Sequence, residues 1–294
     1  MTKQTVGFIG LGVMGEPMCR NLARKSDAEV IAFDLRREPL TRLAADGVKR
    51  AASPREIAEK AAVVMLSLPS GGEVEAVSGG HDGLLARSRS GQVVVDLGTS
   101  PVKLMRALAE KFSERGVEFA DAPVARTRAA AEAGTLSVMV GASEETFRRV
   151  EPLLKTFATE ITHCGAVGTG QLTKILNNMV LFETGVALAE ALALARRSGL
   201  DPALLLSTLA KGSADSFALR NHGVKAMLPG SFPERAFSAQ YALKDVSYAL
   251  ECAADVGLEL PGAELARTRL QQAIAQGYGE QYWPVIARVI GEGN

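Results

Sequence analysis

The chain has 294 residues, 47% of them apolar and 22% charged, enough to bury a sizeable core and to divide into two domains. Lys plus Arg and Asp plus Glu both number 33, so no global field recruits nucleic acid or an anionic membrane. Cys19, Cys164 and Cys252 are odd in number, far apart and without metal-ligand spacing, the N-terminus lacks the apolar stretch of a secretory signal, and no apolar segment of about 20 residues is free of charge. These features predict a cytoplasmic protein with no metal and no membrane partner.

Residues 5–9 form a short β-rich run that ends in Gly10-Leu11-Gly12-Val13-Met14-Gly15, with helix-forming residues 18–23 behind it. This order of strand, glycine turn and helix is what a dinucleotide requires: Gly10 makes the tight turn, Gly12 lets the backbone approach a pyrophosphate, and Gly15 allows close helix packing. A second strand over 29–33 ends in Asp34, nineteen residues beyond Gly15, where a carboxylate accepts the ribose hydroxyls and repels a 2′-phosphate. That favours NAD. Arg36 and Arg37 follow at once and leave NADP open, and Arg36 is counted among the cofactor contacts.

Strands and helices continue to alternate. Residues 62–68 read as a buried strand that meets a turn at Pro69, and Leu68 and Pro69 are also assigned to the cofactor. Residues 92–96 read as another strand, which places Thr99 and Ser100 at a carboxyl edge, where open α/β sheets bind ligands. Thr99 is assigned to both cofactor and substrate, and Ser100 to the N-cap of a helix starting near Pro101. Further strands over 117–120 and 135–140 bring the sheet to an end near Thr162.

From Gln171 to Ala195 there is no Pro and no Gly except Gly185, so one continuous helix is predicted, entered through Gly168 and Gly170. In its first turns Gln171, Lys174, Asn177 and Asn178 crowd one side, and Leu172, Ile175, Leu176 and Met179 the other. A lone ammonium among carboxamides in an apolar helix is a candidate for proton transfer, with Asn178 one turn on to hold a substrate oxygen or the amine. Beyond this rod, residues 203–209, 218–227, 241–254 and 264–276 carry helical periodicity without convincing strands between them. The expected domains are therefore 1–165, which binds the dinucleotide, and 166–294, the long helix plus an all-helical part whose remaining apolar face calls for a homodimer or homotetramer.

These motifs together resemble the β-hydroxyacid dehydrogenase family. The resemblance spans nearly the whole chain and rests on Gly10 to Gly15, on Asp121-Ala122-Pro123-Val124 through Gly134-Thr135-Leu136, on Gly168 to Lys174 with Asn177-Asn178, and on Lys244-Asp245. It implies an α/β Rossmann-type N-terminal domain and an all-α C-terminal domain joined by a long interdomain helix. It also implies hydride transfer between a nicotinamide cofactor and a small anionic hydroxy acid or its semialdehyde. In this reading Lys174 is the general acid/base, Asn178 holds substrate and lysine, Asn177 contacts substrate, and Lys244 closes over the nicotinamide.

Two departures stand out. Where the family usually has Ser-Gly-Gly to hold a carboxylate, this chain has Ala125-Arg126-Thr127, and the first of a usual Ser-Thr pair is Gly98. The run of Pro-Val, a small residue and Arg-Thr is similar to the branch with sulfolactaldehyde reductase and γ-hydroxybutyrate dehydrogenase, which handles aldehydes bearing a distal anion. Arg126 is accordingly expected to bind the anionic head, with Ala125 and Thr127 beside it. A dinucleotide-binding sensor without turnover and an imine reductase are the alternative readings.

Overall fold

The computed structural model describes residues 4–234 and 236–291. The chain forms two compact units, Met1–Lys174 and Ile175–Asn294.

The first unit is built on a sheet whose parallel part runs β3 (Lys49–Arg50), β2 (Glu29–Phe33), β1 (Thr5–Ile9), β4 (Val63–Leu66), β5 (Val93–Asp96) and β6 (Glu118–Asp121). This strand order is that of a Rossmann dinucleotide domain. The order continues through β8 (Leu136–Gly141), antiparallel to β6 and to the two-residue β7 (Val124–Ala125), while β9 (Ala158–Gly165) pairs parallel with β8. β4 and β5 are buried at every position, as strands covered on both faces must be. Their side chains alternate between two cores: Val63, Met65, Val93 and Val95 join one cluster, and Val64, Leu66 and Val94 the other.

Helices α1 (Gly15–Lys25), α2 (Arg37–Ala44), α3 (Pro54–Lys60), α4 (Gly71–Ser78), α5 (Leu84–Arg87), α6 (Val102–Ser113), α7 (Arg128–Ala133) and α8 (Glu144–Leu154) complete this unit. The short β3, β7, α5 and α7 lack the length that makes a period visible in sequence, and α7 is announced only by Thr127, whose hydroxyl accepts from the Ala130 N–H.

The predicted rod is α9 (Thr169–Arg197), 29 residues long. From Ile175 onward it carries the second unit with α10 (Pro202–Leu209), α11 (Ala239–Asp255), α12 (Pro261–Ala273) and α13 (Ile286–Gly291). Among the described residues α9 is the one helix long and apolar enough to cross a membrane by length and composition. Its apolar stripe is instead core: Phe182, Val186, Ala189 and Leu192 pack with Leu219, Val246, Leu270 and Trp283. At Gly185 the indole of Trp283 lies so near that an added Cβ would stand 2.4 Å from it.

Two of the expected helices differ in kind. Leu219–Met227 takes the wider π form, in which buried His222 meets the Tyr282 hydroxyl through Nδ1 at 2.6 Å. The last expected helix starts earlier than predicted, with Pro261 preset for a first turn, and passes into a π segment, Ile274–Tyr278, where Gly277 turns left-handed at φ 87°. Two isolated antiparallel bridges, Glu234 with Gln281 and Ser238 with Tyr282, tie the stretch before α11 to the chain beyond it.

Candidate active site

The carboxyl ends of β1, β4, β5 and β6 lie side by side along one edge of the parallel sheet, and the sequence candidates of the first unit gather there. Gly10 sits at φ 91°, with its N–H donated to the Phe33 carbonyl, and a Cβ on Gly15 would stand 2.0 Å from the Gly10 oxygen. At Gly12 nothing lies within 4 Å of where a Cβ would be. The turn is therefore packed on its inner side and open at its middle glycine, just before α1, whose cap Met14 offers no side-chain bond to the first N–H groups. That cradle fits the pyrophosphate of a dinucleotide. Leu11 is buried under the turn, Val13 is exposed, and Leu68 flanks Gly10 ahead of exposed Pro69.

Asp34 is bonded to the backbone on both sides. Its Oδ2 accepts the Leu11 N–H at 2.6 Å and its Oδ1 the Arg36 N–H at 2.8 Å, so the carboxylate ties the end of β2 to the glycine turn. The Arg36 guanidinium folds back over both, at 3.3 Å from Asp34 Oδ1 and donating to the Leu11 carbonyl at 3.1 Å. Arg37 begins α2.

At the end of β5 the expectation for Ser100 is corrected. Its hydroxyl does not cap α6, whose N-cap is Pro101 without a side-chain bond, but donates to Asp96 Oδ2 at 2.8 Å. Gln171 donates to the same oxygen at 3.2 Å and to the Gly98 carbonyl at 2.8 Å, and accepts from the Ser100 N–H at 3.1 Å. Asp96 and Gln171 are fully buried, and Thr99 lies half-buried beside them. Gly98 is explained by its neighbours, since a Cβ there would come within 2.9 Å of the Leu68 carbonyl oxygen.

One strand over, Asp121 receives the N-terminus of α9. Its two oxygens accept the N–H groups of Gly168 and Gln171, both at 2.6 Å, an anionic cap supplied from a strand 47 residues away. Burial pushes the Asp121 carboxyl up to about 6, against the downward pull of the two N–H donors. Neither the capping role of Asp121 nor the Asp96–Gln171 contact follows from spacing in the sequence, and the only available signal was an aspartate at the end of each strand.

On α9 itself the polar side chains lie on the covered face. Gln171, Lys174 and Asn178 are buried, with Lys174 only 9% exposed, and the same stripe continues through Ile175, Phe182 and Val186. Leu176 and Val180, by contrast, are exposed at 41% and 57%. The apolar side of the first turns is thus divided, and the buried stripe changes from polar to apolar along its length. Asn177 is exposed and donates to the Asn178 amide oxygen at 3.0 Å.

Among the described residues Arg126 is the one non-glycine with positive φ, at 85°. It occupies the middle position of the expected Ser-Gly-Gly, which is why a glycine suits that place, and a side chain there costs about 1 kcal/mol or more in backbone strain. The exposed guanidinium donates through one nitrogen to the Thr135 carbonyl at 2.5 Å and to the Thr159 hydroxyl at 3.1 Å. Ala125 ends β7, and the Thr127 hydroxyl is committed to the cap of α7. In the second unit, Lys244 stands on α11 beside Asp245, its ammonium 5.5 and 5.1 Å from the ring centres of Tyr241 and Tyr248.

Family models agree with this layout. One described as the NAD binding domain of 6-phosphogluconate dehydrogenase matches residues 5–165, and one described as NAD-binding of NADP-dependent 3-hydroxyisobutyrate dehydrogenase matches 168–290. The chain is 34% identical to 2-(hydroxymethyl)glutarate dehydrogenase of Eubacterium barkeri over 97% of its length and 94% of that protein's. It is 37% identical to 3-hydroxyisobutyrate dehydrogenase of Pseudomonas aeruginosa, covering 89% of each. A solved structure of Mycobacterium tuberculosis 3-hydroxyisobutyrate dehydrogenase with L-serine superposes with a TM-score of 0.89 at 30% identity, covering 98% of this chain and 99% of that one.

The Asp121 cap carries a pH signature. Because its carboxyl is raised from 3.8 to about 6 in the folded chain, the folded state keeps a proton across that window that the unfolded state releases, and this group makes stability fall as pH rises through it. The difference in Tm between the protein and its Asp121→Asn variant should therefore drift in that sense between pH 4 and 6.5, and a difference independent of pH would contradict the assignment.

Proposed function

The chain belongs to the β-hydroxyacid dehydrogenase family, and from that premise we propose that Lys174 is the general acid/base and Arg126 the anchor for the substrate's anionic head. The protein is an NAD(P)-dependent oxidoreductase that transfers a hydride between a nicotinamide and a small hydroxy acid. The observation that carries the residue assignment is the burial of one ammonium, Lys174, in the second turn of a helix whose first turn is tied to Asp96 and Asp121. Hydride transfer needs a group to exchange the hydroxyl proton, and an amine is a side chain that can do so.

The glycine turn from Gly10 to Gly15 would hold a nicotinamide dinucleotide, which when bound would supply the acceptor for the hydride of the carbinol carbon. Lys174 takes the hydroxyl proton as the carbonyl forms and returns it in the reverse direction. Asn178, one turn on along α9, holds the substrate oxygen or the amine, and Asn177, Thr99, Ala125 and Thr127 border the substrate. The glycine turn from Gly10 to Gly15, with Leu68, Pro69, Thr99 and Arg36, binds the cofactor. The substrates named for the relatives, 2-(hydroxymethyl)glutarate and 3-hydroxyisobutyrate, combine a hydroxyl with carboxylate charge, and L-serine does the same. This chain's arginine suits a carboxylate or a sulfonate equally, because a planar fork of donors meets either through two parallel hydrogen bonds. We also assign the exposed line of Leu176, Val180 and Leu194 on α9 to a homodimer or homotetramer, to be checked by light scattering, and place the enzyme in the cytosol.

NAD is the preferred cofactor in this reading, since Asp34 keeps acceptor capacity for a ribose hydroxyl and its charge repels a 2′-phosphate. Comparing kcat/KM for the two cofactors checks it, and a clear preference for NADP would move the assignment to Arg36 and Arg37.

Arg126 gives the sharper test, because its structural and functional roles pull in opposite directions. Arg126→Gly relieves a left-handed backbone and should leave stability unchanged or raise it by up to about 1 kcal/mol. The same change should raise KM steeply for carboxylate- and sulfonate-bearing aldehydes and leave an uncharged short aldehyde nearly unaffected. Equal effects on charged and uncharged substrates would show that the anion is held elsewhere.

A further inference from the structure

A relay of polar side chains in the second unit bears on how Asn178 is set. Asn178 Nδ2 donates to Asp245 Oδ2 at 2.7 Å, and Asn178 Oδ1 accepts from Asn177 Nδ2 at 3.0 Å. Asp245 Oδ1 lies 3.1 Å from Lys244 Nζ, an ion-pair distance without hydrogen-bond geometry. Asn178 and Asp245 are 2% and 3% exposed and 67 residues apart in the chain, so their contact is a product of the fold.

We infer that Asp245 is a positioning residue that fixes which way the Asn178 carboxamide points. A carboxylate accepts and cannot donate, so only the amide's NH₂ end can face it. The flipped amide would set a carbonyl oxygen against a carboxylate oxygen and an NH₂ group against the NH₂ of Asn177. Asp245 thus selects one orientation, and the unsatisfied alternative carries the full cost of a buried unpaired acceptor. The Asn178 amide oxygen is thereby turned away from Asp245, where it can accept from a hydroxyl or an ammonium. The Lys244 ammonium, lying over the rings of Tyr241 and Tyr248, supplies the countercharge that makes a carboxylate tolerable at this depth. Asp245 then acts on the reaction through Asn178 without itself touching the substrate. The catalytic half of this inference rests on the placement of Asn178 in the active site, and the geometric half does not.

The experiment separates the two. Steady-state kinetics of Asn178→Ala, Asp245→Ala and the double variant form one cycle, and the side-chain amide resonances of Asn178, identified by their loss in Asn178→Ala, form an independent readout. The expected kinetic result is a loss of kcat in Asp245→Ala of up to about 10²-fold, the scale on which a misplaced group costs an enzyme, with no further loss when it is added to Asn178→Ala. The expected spectroscopic result is that the Asn178 amide resonances shift or broaden in Asp245→Ala. Additive losses in the cycle, or unmoved amide resonances in Asp245→Ala, would overturn the inference. Should Asn178→Ala turn over at the native rate, the placement of Asn178 in the site falls, and the resonances alone decide whether Asp245 orients it.

Discussion

The first turn of α9 is held by two buried carboxylates at the ends of adjacent strands, and the candidate active site depends on that attachment. Asp121 accepts two N–H groups of the turn, and Asp96 accepts the side chain of Gln171. A helix N-terminus carries partial positive charge and several N–H groups without intrahelical partners, so an anion is the natural ligand for it. Supplying that anion from the sheet couples the position of the helix to the carboxyl edge where β1, β4, β5 and β6 end. Lys174, one turn beyond Gln171, inherits its place from this arrangement. Burying two carboxylates is costly, and charge-assisted bonds to N–H groups, a hydroxyl and a carboxamide offset that cost.

The same economy of side chains recurs at the glycine turn. Asp34 reads in sequence as a ribose ligand, yet both its oxygens also accept backbone N–H groups that shape the turn. A residue with a structural role and a ligand role is hard to replace without moving both. Arg126 shows the opposite condition: a glycine would relax the backbone there, and the chain keeps an arginine at positive φ. That outlier is the observation behind the proposal that Arg126 holds an anion.

Much of this was legible in the residues. The strand, glycine turn and helix at Gly10 to Gly15, the acidic end of the second strand and the uninterrupted rod from Gln171 all follow from period and punctuation. What stayed hidden were relations between distant residues. Spacing shows that Gln171, Lys174 and Asn178 share a side of α9 but not that this side is covered, because a polar side is ordinarily the wet one. The Ser100 hydroxyl, equally suited to a cap or to a carboxylate, was decided by Asp96 four residues back, whose fully buried position no local pattern reveals. The π form of Leu219–Met227 also lies beyond period analysis, and it sets His222 against the Trp283 ring at 5.0 Å between ring centroids.

The account turns on Lys174 as the proton carrier, and the most direct measurement is the reaction of Lys174→Ala with NADH affinity and turnover determined on the same preparation. If the cofactor rests on the glycine turn and the proton on the amine, as proposed, NADH should bind with nearly native affinity while kcat falls by about 10²- to 10⁴-fold. Turnover close to the native rate in that variant would contradict the account.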